Sequence, residues 1–124
     1  MKIEHQASHS VRFSIQRRED TASGVVIFQL SGPFTVRHMY GSISPVALDH
    51  ILESTPSNTE CGVHIFDLRQ VPYMDFAGLS LIVHHCRECR CRGIHTIATG
   101  VDQRVLNRFK SSRMENVLPM TLAH

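Results

Sequence analysis

Val25-Val26-Ile27-Phe28-Gln29-Leu30 is the stretch that most limits what this chain can fold into. It is nearly continuous in apolar and β-branched residues, the pattern of a strand covered on both faces. Such a strand needs neighbours in a sheet and further elements packed on it. A second run, Val63-His64-Ile65-Phe66-Asp67-Leu68, has the same character. Between and after these runs the apolar spacing changes to that of helices, so strands and helices alternate along the chain.

The remaining elements follow from local signals. Val11, Phe13 and Ile15 alternate with polar residues, which predicts a strand with one wet face. Arg17 to Asp20, followed by Ser23-Gly24, reads as a turn, and Ser31-Gly32-Pro33 ends the next strand. Ser44-Pro45 places a cap and a first-turn proline before an apolar stripe of Leu48, Ile51 and Leu52. Residues 54–60 form a polar loop.

A longer helix follows Asp75, where Leu79, Ile82, Val83 and Cys86 fall within one arc at 100° per residue. Gly93 stops it, with Arg90 and Arg92 near the negative end of its dipole. Ile94 to Ala98 returns as a strand. Asp102 caps a last helix, with Val101 and Leu106 as a hydrophobic staple and Val105, Leu106 and Phe109 as its stripe. Val117 to Met120 suits only an edge strand, because Pro119 cannot donate to a ladder. The order is β-β-α-β-α-β-α with a short strand at the end, in one domain over residues 11–124 and a loose arm over residues 1–10. Alternation of this kind gives a mixed sheet with helices packed on it.

Composition narrows the function classes. In 124 residues, 42% hydrophobic and 19% charged residues describe a soluble globular chain, and a net charge of +2 gives no support for a nucleic-acid partner. No apolar run reaches membrane-spanning length and no signal-peptide pattern opens the chain, so a cytoplasmic location is expected. There is no nucleophile elbow, paired-histidine zinc helix or phosphate-cradling glycine loop, and an enzyme is not expected.

The functional signal is concentrated in Val71-Pro72-Tyr73-Met74-Asp75-Phe76-Ala77-Gly78-Leu79. A strand ends, an acid follows, and a helix begins, a place where unpaired N–H groups and the helix dipole favour anions. Together with Phe66-Asp67-Leu68 before it and Arg92-Gly93-Ile94 after it, this stretch resembles the STAS domain, the module named for sulfate transporters and anti-sigma-factor antagonists. The resemblance implies an α/β fold: a mixed sheet of four to five strands with about three to four helices. The family pattern at the helix start is Asp-Ser-Ser-Gly-Leu, and in regulatory members the second serine is phosphorylated by a partner kinase. Ala77 occupies that position here and Phe76 the one before it, so neither can accept phosphate.

The resemblance implies a non-catalytic regulatory module that binds another protein through Asp75, Phe76, Ala77, Gly78 and Leu79. The partner would be an anti-sigma kinase-like protein, a stress-complex scaffold or a transporter subunit, with self-association as a further use of the same surface. Two other family settings fit the sequence. Leu30-Ser31-Gly32-Pro33-Phe34 is similar to a Gly-Pro-Leu-Phe-Phe segment in cytoplasmic domains of anion transporters. Gly78-Leu79-Ser80-Leu81 and Val117-Leu118-Pro119 are similar to segments of the small cytosolic subunit of lipid-transport ATPases. The start at Met1 favours a free-standing chain.

Individual residues carry competing readings. Phe76 either folds back to fill space or stands out as an anchor for a partner. Asp75 caps the helix, and Asp67 bonds loop N–H groups as a supporting acid. Arg104 and Arg108, one turn apart, form either a solvated face or a docking patch for an acidic partner or the anionic lipid face of a membrane.

His84-His85-Cys86-Arg87-Glu88-Cys89-Arg90-Cys91 invites a metal reading. On a helix Cys86 and Cys89 stand about 60° apart, and His85 and Cys89 pair one turn apart, but Cys91 points away. Those side chains cannot surround one ion, Cys61 is isolated, and the sequence shows no second ligand pair. The expectation is therefore no metal and no cofactor, with His85, Cys86 and Cys89 as the residues a metal would have to use.

Overall fold

The computed structural model describes residues 12–20, 22–53 and 62–123. The expected arm over residues 1–10, Val11, the loop over residues 54–60 and Cys61 lie outside the described residues. The element order is β1 (Ser14–Asp20), β2 (Val25–Ser31), α1 (Val36–Ser42), α2 (Pro45–Ile51), β3 (Val63–Gln70), α3 (Phe76–Cys91), β4 (His95–Val101), α4 (Gln103–Ser111) and β5 (Met120–Leu122). The strands form one mixed sheet in the order β1-β2-β3-β4-β5, with β1 antiparallel to β2 and every later pair parallel. Fold and class are those expected of a single α/β domain.

The stepwise order explains where the helices go. Each crossover from β2 to β5 moves one strand in the same direction, and right-handed crossovers that step the same way put their helices on the same face. That face carries Phe28, Phe66 and Ala98, which are neighbours in register across β2, β3 and β4. They join Met39 of α1, Leu48 of α2, Leu79 and Ile82 of α3 and Phe109 of α4 in one core cluster. The opposite face carries the row Ile27, Ile65 and Ile97, each only half-buried. The expectation that β2 is fully covered on both faces is corrected accordingly, since its burial alternates along the strand.

Three local expectations also change. Arg17 to Asp20 is not a turn but the second half of β1, an edge strand whose outer side chains reach solvent without penalty. The reversal lies after it, closed by the Gly24 N–H on the Asp20 carbonyl at 2.9 Å with Gly24 at φ 72°. Helix α1 has no counterpart in the sequence reading, and only Met39 among its seven residues is buried. The last strand begins at Met120 rather than Val117, because Pro119 sits just before it and offers only its carbonyl, to the Ala98 N–H at 2.9 Å.

The caps expected at Ser44, Asp75 and Asp102 are all made. Their side chains accept from the N–H groups of Ala47, Gly78 and Arg104 respectively. Among the described residues no helix is long and apolar enough to cross a membrane.

Candidate functional site

The sheet delivers two chain segments side by side at the carboxyl ends of β2 and β3. Beyond the strands the segments still pair. Phe34 and Met74 form a parallel bridge, the Phe34 N–H bonds the Tyr73 carbonyl at 3.0 Å, and the Asp75 N–H bonds the Phe34 carbonyl at 3.3 Å. Each segment then starts a helix, α1 at Val36 and α3 at Phe76. Two helix N-termini thus open next to each other.

Asp75 serves both. Its Oδ1 accepts from the Gly78 N–H at 3.0 Å and its Oδ2 from the Val36 N–H at 3.1 Å. One carboxylate therefore satisfies an otherwise unpaired donor in the first turn of each helix. Asp75 is a cap, as expected, and it is also the clamp between α1 and α3. Gly78 is needed for close approach, because a Cβ there would lie 2.2 Å from the Phe34 carbonyl oxygen. Leu79 is buried in the core and Ala77 packs against it.

Phe76 is the exception, with 64% of its surface exposed. Its ring does not fold back to fill space, which removes the first of its two readings. Exposed Val36, Tyr40 and Tyr73 belong to the same entrance: Val36 opens α1, Tyr40 follows one turn later, and Tyr73 precedes Asp75. Two of these four exposed side chains, Val36 and Tyr40, come from the unforeseen α1.

Asp67 lies inside β3 and is buried, with Oδ1 accepting from the Arg69 N–H at 3.2 Å and Nε at 3.0 Å, and Oδ2 from Nη2 at 2.8 Å. The Arg69 guanidinium holds this carboxyl below its ordinary value. The expectation that Asp67 ends its strand and bonds loop N–H groups is corrected: β3 runs on to Gln70, and the partner is Arg69 of the same strand. The arginine pair of α4 is split. Arg104 is tied to Asp102 at 3.0 Å, whereas Arg108 Nε donates to the Met74 carbonyl at 3.3 Å and so braces the segment before Asp75.

The cysteine–histidine segment is rearranged by the fold. His85 and Cys89 turn inward together, Cys86 is buried near Thr96 of β4, and Cys91 is exposed. What sequence reasoning missed is His64 of β3, whose Nδ1 lies 2.9 Å from His85 Nε2 and 3.5 Å from Cys89 Sγ. Burial pushes both imidazoles down to about 4, so both are neutral at physiological pH. The rings of Phe28 and Phe66 pack edge-on to His85, with centroids 5.1 and 5.3 Å away. A signal for His64 was present: it alternates in phase with Phe66 and Leu68, so it points to the core, where a polar group needs a partner.

The fold and these positions can be set beside known proteins. The chain is similar to the sulfate transporter family protein from Wolinella succinogenes, with 24% identity and a TM-score of 0.60, over 77% of this chain and 71% of that one. It is similar to an anti-sigma factor antagonist from Mycobacterium paratuberculosis, with 15% identity and a TM-score of 0.59, over 87% and 84%. It is also similar to the murine Solute Carrier 26 family member A9 anion transporter, with 10% identity and a TM-score of 0.64; there 99% of this chain covers 23% of the transporter. At these identities the likeness is one of fold. No curated protein matches the sequence. The model of one family does match, over residues 3–124, and this chain belongs to it: the STAS domain.

Proposed function

We propose that this domain is a non-catalytic, cytoplasmic regulatory module that binds a protein partner through the entrance formed by Asp75, Phe76, Ala77, Gly78 and Leu79. The observation that carries this reading is Phe76, a large aromatic side chain held 64% exposed at the start of a helix that Asp75 fixes in place. Exposed aromatics on rigid supports are the usual energetic anchors of interfaces, because little side-chain entropy is lost when they are covered. Ala77 has no hydroxyl, so the charge of about −1.5 to −2 that phosphorylation adds cannot arise at that position. Control of such a module would lie in its partner or its abundance.

The antagonist from Mycobacterium paratuberculosis supports a partner of the anti-sigma kind, such as a kinase-like protein or a stress-complex scaffold. A second reading, a domain serving an anion transporter, is supported by the Leu30-Ser31-Gly32-Pro33-Phe34 segment and by the likeness to transporter domains. Capture from the source cell, with wild-type chain and Phe76→Ala compared quantitatively, tests both. The expected result is one partner recovered by the wild type and lost with Phe76→Ala, soluble and kinase-like under the first reading, membrane-embedded under the second. Undiminished capture by Phe76→Ala would reject the entrance as the binding surface. Turnover of a small molecule by the purified chain would reject the non-catalytic assignment.

A further inference from the structure

Where β3 faces α3, a small domain ordinarily packs aliphatic side chains. This chain places His64, His85 and Cys89 there, one from the strand and two from successive turns of the helix. They are 2%, 4% and 0% exposed, and their ligand atoms, one from each residue, all lie within 4.8 Å of one another. The group is unrelated to the entrance at Asp75.

We propose that His64 Nδ1, His85 Nε2 and Cys89 Sγ form a binding site for a soft d10 metal ion, copper(I) or zinc(II), that ties strand β3 to helix α3. The spacing fits the chemistry. Around tetrahedral zinc, nitrogens at about 2.05 Å and sulfur at about 2.3 Å give N···N near 3.3 Å and N···S near 3.5 Å. The His64–Cys89 separation is already 3.5 Å, and the two imidazole nitrogens at 2.9 Å need only part by a few tenths of an ångström.

The surroundings fit as well. On binding, the Cys89 thiol releases its proton to solvent as the sulfur–metal bond forms. The proton between the two rings moves to the outer nitrogen of the ring that carries it, which leaves both facing lone pairs for the ion. His85 also borders a cleft of about 320 Å³ that carries three carboxylates, of Asp49, Glu53 and Glu88, against one guanidinium, of Arg92, a net-acidic approach from solvent.

Charge favours copper(I) over zinc(II). One thiolate with copper(I) is neutral, whereas with zinc(II) it leaves a buried net positive charge. Thiolate ligation suits either ion.

The test uses the full chain, reduced and stripped of metal, titrated anaerobically with copper(I) and separately with zinc(II), each against a chromophoric chelator. One ion per chain is expected, with a raised melting temperature and tighter binding of copper(I). Cys89→Ser and His64→Asn should each weaken binding by more than the about 10–100-fold that loss of an outer supporting partner costs. Cys91→Ser should leave it unchanged. X-ray absorption on the loaded wild type, which needs no variant to fold, should show one sulfur and two imidazole nitrogens. Failure of both ions to bind stoichiometrically, uptake that survives Cys89→Ser, or a site with two or more sulfurs would overturn the proposal. Zinc(II) bound more tightly than copper(I) would overturn the charge argument.

Discussion

The first turn of α3 carries Phe76 into solvent, while its later turns carry His85 and Cys89 into the core beside His64. Both ends of one helix thus reverse the ordinary distribution of side chains, an aromatic outside and polar groups inside. The two reversals are maintained differently. At the entrance the conformation is fixed by backbone groups, through Asp75 on Val36 and Gly78 and through the Phe34–Met74 bridge, so the exposed ring carries little structural duty. In the cluster the side chains satisfy one another across 21 and 25 residues of sequence, so stability and any ligand chemistry share the same atoms. Substitutions should therefore separate binding from stability at the first end and fail to do so at the second.

Among the contacts that maintain the two ends, the largest expected effect comes from the backbone contact at the entrance. Gly78→Val puts a Cβ 2.2 Å from the Phe34 carbonyl oxygen and 3.0 Å from the Phe34 ring, and neither backbone segment can retreat without breaking the bridge. A loss of about 3 kcal/mol in urea unfolding is expected. A loss below about 1 kcal/mol would show that the two helix starts are not rigidly joined.

In the cluster, His64→Leu alone leaves the His85 nitrogen buried without its partner and should cost about 1–3 kcal/mol in metal-free protein. The double variant His64→Leu/His85→Leu removes both halves of the hydrogen bond and should recover part of that loss, a coupling that a double-mutant cycle reads directly. Strict additivity of the two substitutions would show that the rings do not act as a pair.

These contrasts bear on what the sequence could reveal. The runs in β2 and β3 and the stripe of α3 were legible because their apolar periods repeat over enough residues to outweigh single exceptions. Helix α1 was not, since seven residues with Gly41 among them and Met39 as the one buried side chain carry no period. Half the entrance was hidden with it. The strand character of Arg17 to Asp20 was masked by charges that an edge strand tolerates. Asp75 declared its role because capping is local, three residues from donor to acceptor. His64 did not, because its partners are set by which turn of α3 crosses β3, and that follows only from the assembled core.

A smaller effect tests the middle of β3. The carboxyl of Asp67 is held below its usual 3.8, first by the side-chain hydrogen bond from Arg69, so the folded state favours its ionised form. Its contribution is complete above the usual value and disappears as pH falls through the lowered one. Asp67→Asn should cost less than about 1 kcal/mol at neutral pH, because Arg69 is largely solvated. The difference from wild type should vanish under strongly acid conditions. A gap that persists below the lowered value would mean that the substitution acts through packing instead of charge.

The smallest change in stability is expected where the largest change in binding is proposed. Phe76 sits at the first helical position, its N–H is not needed for the Asp75 cap, and most of its ring touches solvent. Phe76→Ala should shift unfolding by no more than about 0.5 kcal/mol, since alanine also favours the helix more than phenylalanine does. Leu79→Ala, one turn on and 1% exposed, should cost about 2–5 kcal/mol on the same measurement. If Phe76→Ala approached the cost of Leu79→Ala, the ring would be supporting the fold. The contrast between a free-standing anchor at one end of α3 and an interlocked cluster at the other would then fail. If it is neutral, any loss of partner affinity in Phe76→Ala can be assigned to the missing contact itself.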